Sequence, residues 1–172
     1  SVPGQTCRLW DGRTVQLIGT VDRAHVWVEE DGTRWVRVVD YKTGSKKLDL
    51  KEVYCGLDCQ MLLYLFALEQ EGRSYFGYPI VPAGVLYHPA REVILKKDRG
   101  IQPEKLQAAL QEELRRSGMV LADPAGLRAM EHSALEAPHY LPIRVKKDGS
   151  ISDGIASAEQ LGKLGRYVED LL

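Results

Sequence analysis

The sequence predicts an α/β (α+β) fold, a mixed β-sheet flanked by helices, on three observations. Strand-like runs in the first half are punctuated by Asp-Gly pairs at Asp11-Gly12 and Asp31-Gly32, and a third pair stands at Asp148-Gly149. Asp-Gly between apolar or β-branched residues is the strongest short-range hairpin signal. A long apolar helical segment follows, and beyond it capped helices surround one more apolar strand, so strands and helices must cover one another. At 172 residues the chain holds enough apolar surface for one core, and residues 1–172 are read as a single domain.

Each element has a local reason. A β-meander is expected over Thr6–Trp10, Val15–Glu29 and Arg34–Lys42. Leu57–Gln70 is apolar on nearly every side and reads as a buried helix closed by Gly72. Gly84–His88 is a short apolar run, expected as a central strand. Pro103–Ser117 is an amphipathic helix with proline in its first turn and Gly118 just past its end. Asp123-Pro124 caps and opens a short helix to about His132. Tyr140–Lys146 and Ser150–Ser152 form a small C-terminal hairpin, and Ser157-Ala-Glu-Gln160 is a capping box that starts the last helix.

Composition excludes several classes. Lys plus Arg number 23 against 24 Asp plus Glu, a net charge of −1 that advertises neither a nucleic-acid nor a membrane surface. The longest apolar run, Met61 to Leu68, is too short to span a bilayer, and no secretory leader opens the sequence. Three cysteines cannot all pair within the chain, which favours a reduced, cytoplasmic setting. The chain opens in a strand-like segment and closes on a helix, and is expected to be a piece of something larger.

The chemistry concentrates in Gly19-Thr-Val-Asp22-Arg23 and Val38-Val39-Asp40-Tyr41-Lys42. Strand side chains alternate, so Val36, Val38, Asp40 and Lys42 share one face, as do Asp22, Ala24, Val26 and Val28. A two-residue turn at Asp31-Gly32 would set apolar residues against charged ones. A three-residue turn, Glu30-Asp31-Gly32, puts the glycine where that loop needs a left-handed residue and pairs Val26 with Val36, Ala24 with Val38 and Asp22 with Asp40. The two carboxylates then stand about 4.5–5.5 Å apart at Cβ, which is destabilising unless positive charge lies between them. Lys42 supplies some, and a divalent cation suits the geometry better. Oxygen ligands favour Mg²⁺ or Mn²⁺ over zinc, and a metal-bound water beside a lysine is a ready nucleophile for phosphodiester hydrolysis. A solvated strand end bearing an Asp–Lys pair is the competing account.

Gln60 and Tyr64 stand four apart on the apolar helix and so share a face. Both need partners there. Either they satisfy backbone groups, or they point at the site and touch phosphate or the lysine.

Gly19-x-x-Asp22, Val39-Asp40-Tyr41-Lys42 and Gln60-x-x-x-Tyr64 resemble the successive motifs of RecB-like nucleases of the PD-(D/E)xK superfamily. Longer stretches, Asp40-Tyr-Lys-Thr-Gly, the run from Glu52 to Leu65, Pro82-Ala-Gly-Val-Leu-Tyr87 and Tyr140-Leu-Pro-Ile-Arg-Val-Lys-Lys-Asp-Gly-Ser150, are similar to the C-terminal nuclease domain of the AddB family of ATP-dependent helicase–deoxyribonuclease subunits. The resemblance implies a restriction-endonuclease-like fold and a DNA exonuclease acting on single strands. A helicase–nuclease complex with an AddA-like partner subunit would deliver them, in double-strand break repair and recombination. By position it makes Asp22 and Asp40 metal ligands, the Tyr41 carbonyl a further ligand, Lys42 the catalytic lysine, and Gln60 and Tyr64 the supporting motif. The family's additional upstream-helix ligand has no counterpart before Asp22, and His25 falls on the wrong strand face. Its 4Fe-4S cluster is not expected, because Cys7, Cys55 and Cys59 lack the cluster spacing; core packing is the role expected for Cys55 and Cys59. A Cas4-type or other RecB-like nuclease, and a catalytically silent scaffold that binds a partner, are the alternatives.

Other features carry less. Lys42-Thr-Gly-Ser-Lys-Lys47 superficially resembles a phosphate-binding loop but lacks the first glycine and opens no helix. Lys96-Lys97-Asp98-Arg99 and Lys146-Lys147 are expected as solvated faces, and His88, His132 and His139 as structural.

Overall fold

A computed structural model of the chain describes residues 2–8, 12–44, 47–90 and 102–171. Asp11 of the first Asp-Gly pair, Leu9 and Trp10 of the first expected strand, Ser45 and Lys46, and the Lys96–Arg99 cluster lie outside the described residues. In chain order the elements are β1 (Val2–Arg8), β2 (Thr14–Gly19), β3 (Arg23–Val28), β4 (Arg34–Lys42), α1 (Leu50–Tyr54), α2 (Gln60–Phe76), β5 (Val81–Pro89), α3 (Pro103–Leu114), β6 (Ser117–Leu121), α4 (Pro124–Met130), β7 (Arg144–Val145), β8 (Ile151–Ser152), β9 (Ile155–Ala156) and α5 (Ala158–Asp170).

The central sheet is mixed and five-stranded, in the order β3-β4-β5-β6-β9. Strands β3 and β4 are an antiparallel hairpin, β4 and β5 run parallel across the α1–α2 crossover, and β5 and β6 are antiparallel again. One face carries Val36, Val38, Val85 and Met119 against Leu62, Leu65 and Phe66 of α2, with Leu161 and Val168 of α5 completing the layer. The other face packs Val39, Leu86 and Val120 against Leu127 of α4 and against Ala134, Leu141 and Ile143. A separate two-stranded ribbon, β1–β2, lies against α2. This is the expected α/β class, with a small β7–β8 hairpin and a final helix.

The turn chemistry reads out as expected. The Glu29 N–H donates to the Thr33 carbonyl at 2.8 Å, so the β3–β4 turn is Glu30-Asp31-Gly32, with Gly32 at φ +87°. Asp148-Gly149 closes the β7–β8 hairpin. Asp123 accepts from the Ala125 and Gly126 N–H groups, and Ser157 and Gln160 form both halves of the capping box.

Several boundaries differ. Val15–Glu29 is two strands, broken at residues 20–22, so the expected meander splits between two sheets. The apolar helix starts at Gln60 rather than Leu57, because Gly56 and Asp58 both adopt positive φ. It runs through buried Gly72, which packs against Ile80, and ends at left-handed Gly77. Cys55 is exposed at this turn and does not fill the core, whereas Cys59, half-buried, packs against the core as expected. The amphipathic helix stops at Leu114, its Leu106 and Leu110 lie exposed, and Ser117 and Gly118 belong to β6.

Gly118 explains that last difference. Its φ is +151°, and a Cβ there would lie 2.0 Å from the Val85 carbonyl oxygen. The glycine serves close approach of β6 to β5, not helix termination. Gly118→Ala should therefore destabilise the fold by about 3 kcal/mol in chemical denaturation, where the change in unfolded-chain entropy alone would stabilise it by about 0.4–1 kcal/mol.

Candidate active site

The β3–β4 pairing places Val26 opposite Val36 and Ala24 opposite Val38, and one further step of that register sets Asp22 across from Asp40. Here β3 ends, and the Asp22 carboxylate accepts the Tyr41 backbone N–H at 3.1 Å. The Tyr41 N–H first, the Asp40 carboxyl next and the Lys42 charge last hold the Asp22 acid below the usual carboxylate range. On the same face Lys42 Nζ lies 2.5 Å from Asp40 Oδ2. Asp40 holds the ammonium's pKa up, with Asp22 and Asp58 adding to it, so Lys42 remains protonated through neutral pH. Asp40 Oδ2 is closed off from solvent, and that ammonium is the cation it meets among the described residues.

This donor set fits one hard cation. The Asp22 and Asp40 carboxylates and the adjoining Tyr41 carbonyl are oxygen donors, the type that could hold such a cation. Among the described residues no group of three or more His, Cys, Asp or Glu side chains is placed to hold a metal ion.

Gln60 and Tyr64 find each other: Gln60 Nε2 donates to the Tyr64 hydroxyl at 2.7 Å. The Tyr64 ring lies on Gly19, where a Cβ would stand 2.5 Å from the ring. The Gly19-x-x-Asp22 spacing thus acquires a physical meaning, since the glycine lets α2 press on the strand end that delivers Asp22. Gln60 itself is exposed at the first turn of α2, not inside a buried face.

Two residues of the site carry no sequence signal. Tyr87, register partner of Asp40 on β5, is buried and donates its hydroxyl to Asp58 Oδ2 at 3.2 Å. Burial first, and then the Asp58 charge, push the phenol well above its ordinary range, so it stays a neutral donor. Asp58 sits at φ +54°, a conformation that Asp tolerates better than most residues. Beside Lys42 a polar groove of about 350 Å³ opens, lined by Lys47, His88, Arg115 and Ser117.

His25, as expected, points to the opposite sheet face, where it accepts from Arg37 Nε at 3.0 Å; His88 accepts from Arg116 Nε at 3.2 Å. Burial first, and then the neighbouring guanidiniums (Arg37, Arg23 and Arg116 at His25, Arg116 at His88), hold both imidazoles below the ordinary histidine pKa. An unfolded chain therefore binds these protons more readily than the folded one, and stability should be full above about pH 6.5 and fall as pH drops below it. Thermal melts between pH 7.5 and 5.5 should show that fall, and His25→Gln with His88→Gln should flatten it.

Similarity to known proteins places the chain in a family. The family model for the PD-(D/E)XK nuclease superfamily matches residues 3–151. Proteins named as ATP-dependent helicase/deoxyribonuclease subunits, of the B type, are 34% identical over 172 residues in Acetivibrio thermocellus, 32% over 169 in Clostridium botulinum and 36% over 169 in Desulforudis audaxviator. These alignments cover 99%, 96% and 97% of this chain but only 15%, 15% and 14% of the relatives, so the chain spans about a seventh of their length. The matched span takes in β3, β4 and α2, and with them the Asp22–Asp40 pair, Lys42 and the Gln60–Tyr64 contact. The chain belongs to the PD-(D/E)XK nuclease superfamily.

Proposed function

We propose that residues 1–172 form the nuclease domain of a longer helicase–deoxyribonuclease subunit, a Mg²⁺-dependent exonuclease. It hydrolyses phosphodiester bonds of single DNA strands delivered by an AddA-like helicase partner, in cytoplasmic double-strand break repair and recombination. The observation that carries this reading is the convergence of Asp22 and Asp40 beside Lys42, at the ends of two strands and next to an open polar groove. The relatives' names supply the helicase context, and among the described residues no helix is long and apolar enough to cross a membrane.

Asp22, Asp40 and the Tyr41 carbonyl would hold Mg²⁺ or Mn²⁺, which when bound supplies Lewis acidity and an activated water. The residues divide the remaining work. Asp22 is oriented by the Tyr41 N–H, so the carboxylate meets the site preset. Lys42, kept protonated, acts as a hydrogen-bond donor to the attacking water or to a phosphate oxygen, not as a general base. Tyr64, wedged on Gly19 and fixed by Gln60, steadies the strand end. Asp58, held by the buried Tyr87 hydroxyl, keeps negative charge near the lysine as the carboxylates are neutralised.

Digestion of a single-stranded oligonucleotide tests the reading. Cutting should require Mg²⁺, stop in EDTA, and fall by at least ~10²-fold in both Asp40→Ala and Lys42→Ala. Metal-independent cutting, or equal cutting by Asp40→Ala, contradicts it.

A further inference from the structure

The sheet face opposite the carboxylate pair carries a concentration of positive charge that the site does not use. Arg37 on β4 donates through Nε to His25 and through Nη1 to the Met130 carbonyl at 3.3 Å. Arg116, just before β6, donates through Nε to His88. Both guanidiniums spend donors on uncharged acceptors, and neither forms an ion pair with a carboxylate of the described residues. Glu131 is the acid that faces both. Its oxygens, however, are taken by the N–H groups of His139, Tyr140 and Leu141 at 2.6, 3.1 and 3.1 Å. Arg23 adds a third cation over the Tyr41 ring, at 5.9 Å.

Such a cluster is costly to keep. Half-buried cations facing one another lose hydration and gain repulsion, and burial is the leading influence on both arginines. A fold holds that arrangement most readily where an anion completes it. The surroundings say which anion. Tyr41 is 39% exposed and meets His88 edge-on, while Tyr140 is 49% exposed with Arg116 5.8 Å from its ring centre. Open aromatic rings alternating with guanidiniums suit unpaired bases strung on phosphates, and a carboxylate-rich protein segment would leave the rings unused.

We propose that this face is a second contact surface for the DNA strand, with Arg37 and Arg116 on its phosphodiesters and Tyr41 and Tyr140 stacking its unpaired bases. Tyr41 links the two faces. Its backbone belongs to the Asp40–Lys42 strand end, and its ring projects to the reverse side, so a strand leaving the cleavage site reaches this surface by rounding one strand end. The surface rests on the nuclease reading, but its test does not require cleavage.

Fluorescence anisotropy of a labelled oligothymidylate with the full chain in EDTA measures binding alone. Arg116→Gln should weaken binding about tenfold and lower the salt slope by about one. Tyr140→Ala, at an exposed position, should weaken it about fivefold to tenfold and leave the salt slope unchanged. Arg116→Lys, which keeps the charge, should recover the slope, and thermal melts identify any variant that fails to fold. Affinity and slope unchanged in both Arg116→Gln and Tyr140→Ala overturn the proposal. So does a face that takes labelled oligoglutamate through Arg116 and ignores the oligonucleotide. Cutting in Mg²⁺, assayed separately, keeps the two readings apart: a chain that binds through Arg116 but never cuts removes the nuclease reading and sustains the surface. One that cuts with binding indifferent to both substitutions removes the surface alone.

Discussion

Where two like charges meet in this molecule is decided by the length of one turn. Glu30-Asp31-Gly32 fixes the β3–β4 register, and that register carries Asp22 to Asp40. A turn shorter by one residue would shift the pairing and turn apolar side chains toward charged ones. The apolar pairs Val26–Val36 and Ala24–Val38 defend the alignment along its length, so the fold's core and its acidic site are consequences of the same constraint. Two adjacent carboxylates are unfavourable by themselves. The structure tolerates them because the Tyr41 N–H and the Lys42 ammonium offset part of the repulsion, and the proposed function rests on the negative charge that remains.

The net charge of −1 takes on a different meaning in three dimensions. That whole-chain balance conceals two sheet faces of opposite character at one end of β4. One face holds Asp22 and Asp40, with Asp58 acting on the same lysine, and the other holds Arg23, Arg37 and Arg116 with their histidines and tyrosines. A balanced composition is therefore compatible with a chain that handles a polyanion, because Arg23, Arg37 and Arg116 gather on one sheet face, away from Asp22 and Asp40. The sheet is the insulator between them, and the Asp40-Tyr41-Lys42 tripeptide belongs to both sides.

How much of this is legible in the sequence follows from which features are local. Turn length is a discrete local choice that alternation can arbitrate, so the register at Asp31-Gly32 can be read, as can the caps at Asp123 and Ser157. The break in Val15–Glu29 is marked only by Gly19 and Asp22, residue types that strands disfavour, and it accompanies the packing of the ribbon on α2. Gly72 and Gly118 read as helix terminators, the commonest use of such glycines. Their actual role, close contact with Ile80 and with the Val85 carbonyl, depends on elements distant in sequence. Asp58 and Tyr87 are silent for the same reason. Nothing in Gly56-Leu-Asp-Cys59 or in the apolar run of β5 signals that a phenol and a carboxylate from the two will meet near Lys42. The carboxylates, lysine and Gln60–Tyr64 pair are legible because each lies at a short, periodic spacing on one element or across one hairpin.

The central claim is that Asp22 and Asp40, beside Lys42, form a cation site. The most direct measurement is the anomalous scattering of crystals of the chain grown with Mn²⁺. The account predicts a peak between the two carboxylates, adjoining the Tyr41 carbonyl, with Lys42 Nζ withdrawn from Asp40, and no such peak in Asp40→Asn. A metal bound elsewhere, or none at the pair while Lys42 keeps its contact with Asp40, would contradict it.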